Sequence, residues 1–382
     1  MNHYYNPVHT IQGPGSVGCL PELLKEMHLP NRRVLLLAWG EKVFQNQVFS
    51  KLIEKEDKFK IYPKVFQESN PTVEQLFDIY QETRTFDPSA VVAVGGGSIM
   101  DVGKSLCCLY GNEITDVNEL RELIKKRNDH EPKVRWIGIP TTAGTGSETT
   151  CWATIWDPLK DAKRSVENHE NYAYAALVDP QMTEGMPLKL AVSSALDAVA
   201  HAAESYWAKG TNCVSKALAL NAIQIIMTHV EDLLNGVPEA QDAMAQGSML
   251  AGMAFSNTKT TACHSISYPL TMHYGIPHGT AVSMLLAPVL GMNAARTEGL
   301  EELLKALKVA DAKELKKRIS NILLRSGQPN CLRDWGVKRE DLPHLAQLGI
   351  TKGRADNNPV EVTPEHVQAI LEEIYMDTAE EK

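Results

Sequence analysis

The chain has 382 residues, 43% hydrophobic and 22% charged, which is an ordinary balance for a globular protein and more than one hydrophobic core accommodates. A net charge of −9 without any basic block repels phosphate backbones and excludes nucleic acid as an expected partner. The polar N-terminus, apolar runs that are short or broken, and seven scattered cysteines without a Cys-x-x-Cys point to a cytoplasmic protein with reduced thiols and no membrane partner.

The first half alternates. Val34–Ala38 reads as a buried strand, 43–58 as a helix, 60–66 as a strand and 71–84 as a helix. Val91–Val94 is a strand that ends on Gly95-Gly96-Gly97-Ser98, residues 99–110 form the next helix, and Trp136–Ile139 is one more strand. Such alternation predicts a parallel sheet with crossover helices. After Asp179-Pro180 the texture changes to Ala-rich, Leu/Ile-spaced stretches at 187–207, 214–235, 240–255, 262–272 and 279–296. Helical spacing continues at 300–325 and 363–376, the latter opened by Thr363-Pro364-Glu365, and Glu380–Lys382 reads as a frayed tail. The expected domains are an α/β unit over 1–182 and an all-helical unit over 183–382.

Two Gly-rich loops follow strands. In Gly95-Gly96-Gly97-Ser98-Ile99-Met100-Asp101-Val102-Gly103-Lys104, glycines let the backbone approach a pyrophosphate and the helix start offers free amides. The spacing is not that of the usual G-x-G-x-x-G fingerprint. The stretch Pro140-Thr141-Thr142-Ala143-Gly144-Thr145-Gly146-Ser147-Glu148 is the second such loop, and two loops at strand ends are what a nucleotide crevice requires. Further on, Asp197 and His201 stand at i and i+4 of an apolar helix, where an unpaired carboxylate is costly to bury. His264 and His278, in neighbouring apolar segments, supply a reason: one carboxylate and three imidazoles suit Fe2+ or Zn2+ with an open position.

These elements, with Gly13-x-Gly15, Asn70-Pro71-Thr72, Asp197-Ala-x-x-His201-Ala, Pro277-His278-Gly279 and Asn358-Pro359, resemble the iron-containing alcohol dehydrogenases, also called group III dehydrogenases, in order and spacing over nearly the whole chain. The resemblance implies a dehydroquinate synthase-like architecture with the active site in a cleft between two domains. It implies Asp197, His201, His264 and His278 as metal ligands. Gly95, Gly96, Gly97, Ser98, Asp101, Thr141, Thr142, Ser147 and Asn70 are implied as cofactor contacts, joined by Trp39, Gly40 and Glu41 after the first strand. Glu41 would disfavour a 2′-phosphate, so NAD(H) is expected, with NADP(H) the other candidate. A homodimer or larger homo-oligomer is also implied.

The chain departs from that pattern in two places. Tyr268 stands where many relatives have a histidine drawn as a proton relay, which makes Tyr268 and the nearby His273 the candidate proton-transfer groups. Asn257-Thr258-Lys259-Thr260-Thr261 replaces a small apolar stretch, and Lys259 and Thr260, with Thr149 and Cys151, are the expected substrate contacts. Arg164 offers a further anion contact. These variations resemble the branch that reduces sulfoacetaldehyde (to isethionate) or phosphonoacetaldehyde. The alternatives are a general alcohol, lactaldehyde or 1,3-diol dehydrogenase of the same family and, in another class, a dehydroquinate synthase-like lyase. The scarcity of Lys and Arg between 185 and 300 speaks against the lyase.

Overall fold

The computed structural model describes residues 3–54, 58–126, 130–160 and 162–376. The predicted tail at Glu380–Lys382 and the end of the 43–58 helix fall partly or wholly outside these residues.

The chain forms two compact units, one from Asn6–Thr142 and Ser147–Glu184, the other from Met1–Tyr5, Ala143–Gly146 and Gly185–Lys382. The loop Ala143–Gly146 therefore groups with the helices, whereas a single division at 182/183 assigns it to the α/β unit.

In the α/β unit the strands are β1 (His9–Gln12), β2 (Arg33–Ala38), β3 (Lys60–Val65), β4 (Ala90–Gly95), β5 (Arg135–Pro140) and β8 (Ala175–Val178). They form one six-stranded sheet in the order β1-β8-β5-β4-β2-β3, every pairing parallel. Burial on both faces explains the runs: Val34, Leu36, Val92, Val94, Ile137 and Ile139 lie in one core cluster with Leu20 and Leu24 of α1 (Leu20–Glu26) and with Met27 just after it, while the alternate Leu35, Leu37 and Val91 are buried on the opposite face. Crossovers run through α2 (Gln47–Glu54), α3 (Val73–Thr83) and α4 (Gly97–Leu109). Since β3 lies on one side of β2 and β4 on the other, the strand order reverses there, and the loops leaving β2 and β4 open beside one another. The sequence reading did not anticipate α5 (Val117–Lys125) or the antiparallel hairpin of β6 (Trp152–Asp157) and β7 (Ala162–Glu167).

The helical unit contains α6 (Leu188–Trp207), α7 (Cys213–Leu234), α8 (Ala240–Thr258), α9 (Ala262–Tyr274), α10 (His278–Asn293), α11 (Leu300–Leu307), α12 (Ala312–Arg325), α13 (Leu342–Leu348) and α14 (Pro364–Glu373). The predicted 300–325 helix is thus two. Helix α6 is enclosed by α7, α8 and α10, and its fully buried Ala195, Ala198, Ala200, Ala202 and Ala203 let those neighbours approach closely. Helix α7 corrects one expectation, because its length and a window mean hydropathy of 1.3 are enough to cross a membrane. It packs on α6 and α8 through Ala219, Ala222, Ile223, Ile226 and Val230, as core helices of the same composition do.

Candidate functional site

The helical unit gathers the predicted metal ligands. Asp197 and His201 share a face of α6, and both are buried at 4% and 6% exposure. His264, in the first turn of α9, comes to the same point: ligand atoms of Asp197, His201 and His264 all lie within 4.8 Å of one another. His201 Nδ1 is 3.7 Å from Asp197 Oδ2, and His264 Nε2 is 3.5 Å from Asp197 Oδ1. His278, the first residue of α10, is more open and stands outside that trio, with Nε2 3.9 Å from Asp197 Oδ1.

Asp197 Oδ1, His201 Nδ1 and His264 Nε2 are buried and have no hydrogen-bond partner among the described residues. Each such atom costs about 1–3 kcal/mol, so three of them turned toward one point need a shared electrophile. A divalent cation fits: it takes the carboxylate and the imidazole lone pairs together. The protonation states agree with that use. Burial pushes the His201 imidazole down to about 4 against the pull of Asp197, leaving a neutral ring. Burial also raises the Asp197 carboxyl, but His201, His264 and His278 outweigh it and hold the group well below its ordinary range.

The sequence reading missed Glu204. It lies three residues after His201 on the same stripe of α6 and is fully buried. Its Oε1 accepts from Cys263 N at 2.6 Å and Thr261 Oγ1 at 2.8 Å, and its Oε2 accepts from His264 Nδ1. That last bond fixes the tautomer that leaves His264 Nε2 unprotonated toward Asp197. Burial alone would lower the His264 imidazole and raise the Glu204 carboxyl; their mutual attraction reverses both. The signal available in the sequence was the spacing of Asp197, His201 and Glu204 along one face.

Glycine sets the approach of α10. A Cβ on Gly279 would sit 2.1 Å from the Ser193 carbonyl oxygen of α6, so only Gly permits the contact that brings His278 opposite Asp197. The Ala143–Gly146 loop is held the same way: Gly146 has φ +54° and its Cβ would lie 2.4 Å from Gly252 Cα.

Tyr268 is buried, with its ring stacked on His278 at 6.0 Å between centroids. His273 is exposed in the last turn of α9 and, nine residues beyond His264, projects from the opposite face. The structure therefore brings Tyr268 and not His273 to the cluster. Of the substituted stretch after α8, Thr258 Oγ1 donates to Ser205 Oγ and Thr261 Oγ1 donates to Glu204, so both hydroxyls serve the helices. Thr260 is buried with its carbonyl bonded to Asn357, and Lys259 is exposed at φ 60°.

The α/β unit assembles the nucleotide loops. Trp39 N donates to Val94 O, so Trp39, Gly40 and Glu41 leave β2 directly beside Gly95, Gly96, Gly97 and Ser98. Helix α4 starts at Gly97 without any side-chain cap, which leaves its first amides for a ligand. A Cβ on Gly96 would meet Thr142 Oγ1 at 3.3 Å, so Gly keeps the two loops together. Asn70, at φ 54° ahead of the Thr72 capping box of α3, donates its N–H to Ser98 Oγ at 3.2 Å. The structure thus draws Trp39, Gly40, Glu41, Asn70, Gly95–Ser98, Thr141 and Thr142 into one locale.

Asp101 and Ser147 face inward instead. Lys104, fully buried, donates to Ser147 Oγ, Thr150 Oγ1 and Trp152 O at 2.8–2.9 Å, while Asp101 accepts from Thr154 N and Ser147 Oγ. This network fastens α4 to the β6 entry. Thr149 and Cys151 are buried beside it, Thr149 accepting from Asn6 through its carbonyl. Arg164 pairs with Asp157 at 3.5 Å.

Residues 7–180 match the iron-containing alcohol dehydrogenase family model, and residues 191–375 match the C-terminal model of the same family. A lactaldehyde reductase of Escherichia coli (strain K12) is 31% identical over 371 residues, covering 93% of this chain and 94% of that protein. A sulfoacetaldehyde reductase of Bilophila wadsworthia (strain 3_1_6) is 29% identical over 316 residues, covering 79% and 81%. Among solved structures, the sulfoacetaldehyde reductase of Bifidobacterium kashiwanohense in complex with NAD+ superposes with a TM-score of 0.86, at 25% identity and 98% coverage of both chains. The chain is an oxidoreductase that belongs to the iron-containing alcohol dehydrogenase family.

Proposed function

We propose that the protein reduces a small aldehyde to a primary alcohol with a nicotinamide cofactor, using a divalent cation held by Asp197, His201, His264 and His278. The observation that carries this reading is the set of three buried, partnerless ligand atoms on Asp197, His201 and His264. A cation bound there supplies Lewis-acid polarisation of a carbonyl, and a dihydronicotinamide supplies the hydride. Glu204 keeps His264 in the ligating tautomer. Tyr268, whose phenol burial raises, stays protonated at neutral pH and is placed beside His278 to give up a proton from Oη to the product oxygen. The open amides at the start of α4, with Asn70 and Thr141–Thr142, hold the cofactor's pyrophosphate, and Glu41 favours NAD(H) over NADP(H).

The substrate we favour is an anionic aldehyde, sulfoacetaldehyde or phosphonoacetaldehyde, in line with the names of the Bilophila and Bifidobacterium proteins. The Escherichia coli relative supports a second reading, reduction of lactaldehyde or a similar neutral aldehyde. We place the enzyme in the cytoplasm as a homodimer or larger assembly. The test is nicotinamide oxidation by metal-reconstituted protein with glycolaldehyde, lactaldehyde, sulfoacetaldehyde and phosphonoacetaldehyde, each with NADH and NADPH. No oxidation with any of them refutes the activity, and substrate consumed with the cofactor unchanged indicates the lyase class.

A further inference from the structure

One cation beside the cluster is unexplained by anything above. Arg354 lies with Cζ 5.2 Å from the centroid of the Tyr268 ring, and Tyr268 in turn stacks on His278. None of the ion pairs among the described residues involves Arg354, and its side chain is only half-buried. Its position is firmly built. The segment before it is tied to α9 through Ser265, whose Oγ donates to Gly349 O at 2.7 Å and accepts from Thr351 N at 2.7 Å, one residue beyond His264. The segment after it is tied to the end of α8, where Asn357 Nδ2 donates to Thr258 O at 2.8 Å and Thr260 O at 3.1 Å. Asn358 then pairs with Asn293 of α10 at 2.8 Å. Three helices that frame the metal ligands thus hold next to them one guanidinium that has no carboxylate partner among the described residues.

We propose that Arg354 is the anion-recognising group of the substrate site, seating a tetrahedral oxyanion, sulfonate or phosphonate, carried one methylene from the reacting carbonyl. The proposal rests on the aldehyde-reductase reading above and names its specificity element. A guanidinium presents a planar fork of donors that matches two oxygens of such a group. Contact with Tyr268, through its ring and through a side-chain hydrogen bond, orients the fork, and a guanidinium has five N–H donors, so others remain for an anion. The neighbouring Thr258 and Thr261 hydroxyls are bonded within the helices, and the expected contact Lys259 is an exposed point charge without a planar fork.

Arg354→Met keeps the apolar stem and removes the charge, and Arg354→Lys keeps the charge without the fork. With the metal-loaded enzyme and NADH, Arg354→Met should lose about 10- to 100-fold in kcat/KM on sulfoacetaldehyde and phosphonoacetaldehyde, and less than about twofold on glycolaldehyde. Arg354→Lys should recover part of that loss. Calorimetric binding of ethanesulfonate and methylphosphonate to the wild type, abolished in Arg354→Met, gives a readout independent of turnover. The better of the two anions in both assays identifies the natural head group. An equal loss on glycolaldehyde, or no loss on the anions, overturns the proposal by making Arg354 merely a packing partner of Tyr268. A wild type that reduces glycolaldehyde but neither anion also overturns it while leaving the aldehyde-reductase reading intact; reduction of no aldehyde removes both.

Discussion

Replacing Glu204 with Gln tests the metal centre where structure makes the sharpest statement. Glu204 is fully buried, with Oε1 accepting from Cys263 N and Thr261 Oγ1 and Oε2 accepting from His264 Nδ1. An amide has one acceptor oxygen and one NH2. If the oxygen stays with Cys263 and Thr261, the NH2 faces His264 Nδ1, which must then accept, and the proton moves to Nε2. That is the nitrogen 3.5 Å from Asp197 Oδ1 and one of the three partnerless atoms. Cation binding must then expel a proton or break the new bond. Loss of such a supporting contact typically costs 10- to 100-fold in metal affinity, or about 1.4–2.7 kcal/mol. Competition against a calibrated chelator at neutral pH, with Zn2+ and anaerobically with Fe2+, reads the constant directly, and circular dichroism confirms the fold. A folded Glu204→Gln protein with unchanged affinity for both metals would show that His264 does not bind through Nε2, and the ligand assignment would fall.

Three further outcomes follow from particular contacts. Gly279→Ala drives a Cβ into the Ser193 carbonyl; we expect about 1–3 kcal/mol of destabilisation in urea and weakened metal binding as His278 shifts, and an unaffected variant would remove the close-approach explanation. Burial raises the Glu148 carboxyl from 4.5 to about 7, so the folded state holds an extra proton between those values and stability falls as pH rises through that window, by at most about 3 kcal/mol. Glu148→Gln should flatten that slope in denaturation curves; an identical slope refutes the assignment. Glu41→Ser, at the exposed start of the turn after β2, should raise kcat/KM for NADPH relative to NADH, and an unchanged ratio clears Glu41 of the role.

Much of the architecture was legible because it depends on short-range periodicity. Continuous Val/Leu/Ile runs marked strands buried on both faces, and Ala-rich 3.6-residue spacing marked the helices. The Gly-rich loop and the i, i+4 pair of Asp197 and His201 were equally local. Short amphipathic pieces such as α5 and the β6–β7 hairpin were not, because their stability comes from Arg121 with Asp157 and Asp101 with Thr154, partners distant in the chain.

The residue types and spacings by themselves determined the two-part architecture, the family and the four residues suited to a cation, since helical phase and chemical character are carried by adjacent residues. Tertiary structure alone decided which atoms converge. It turned Glu204 from one buried carboxylate among many into the partner of His264, separated Tyr268 from His273, withdrew Asp101, Ser147 and the Thr258 and Thr261 hydroxyls into internal bonds, and brought Arg354 against Tyr268. These pairings span helices joined by long connections. Their energies arise from desolvation and from hydrogen bonds that exist only once the helices have closed around them.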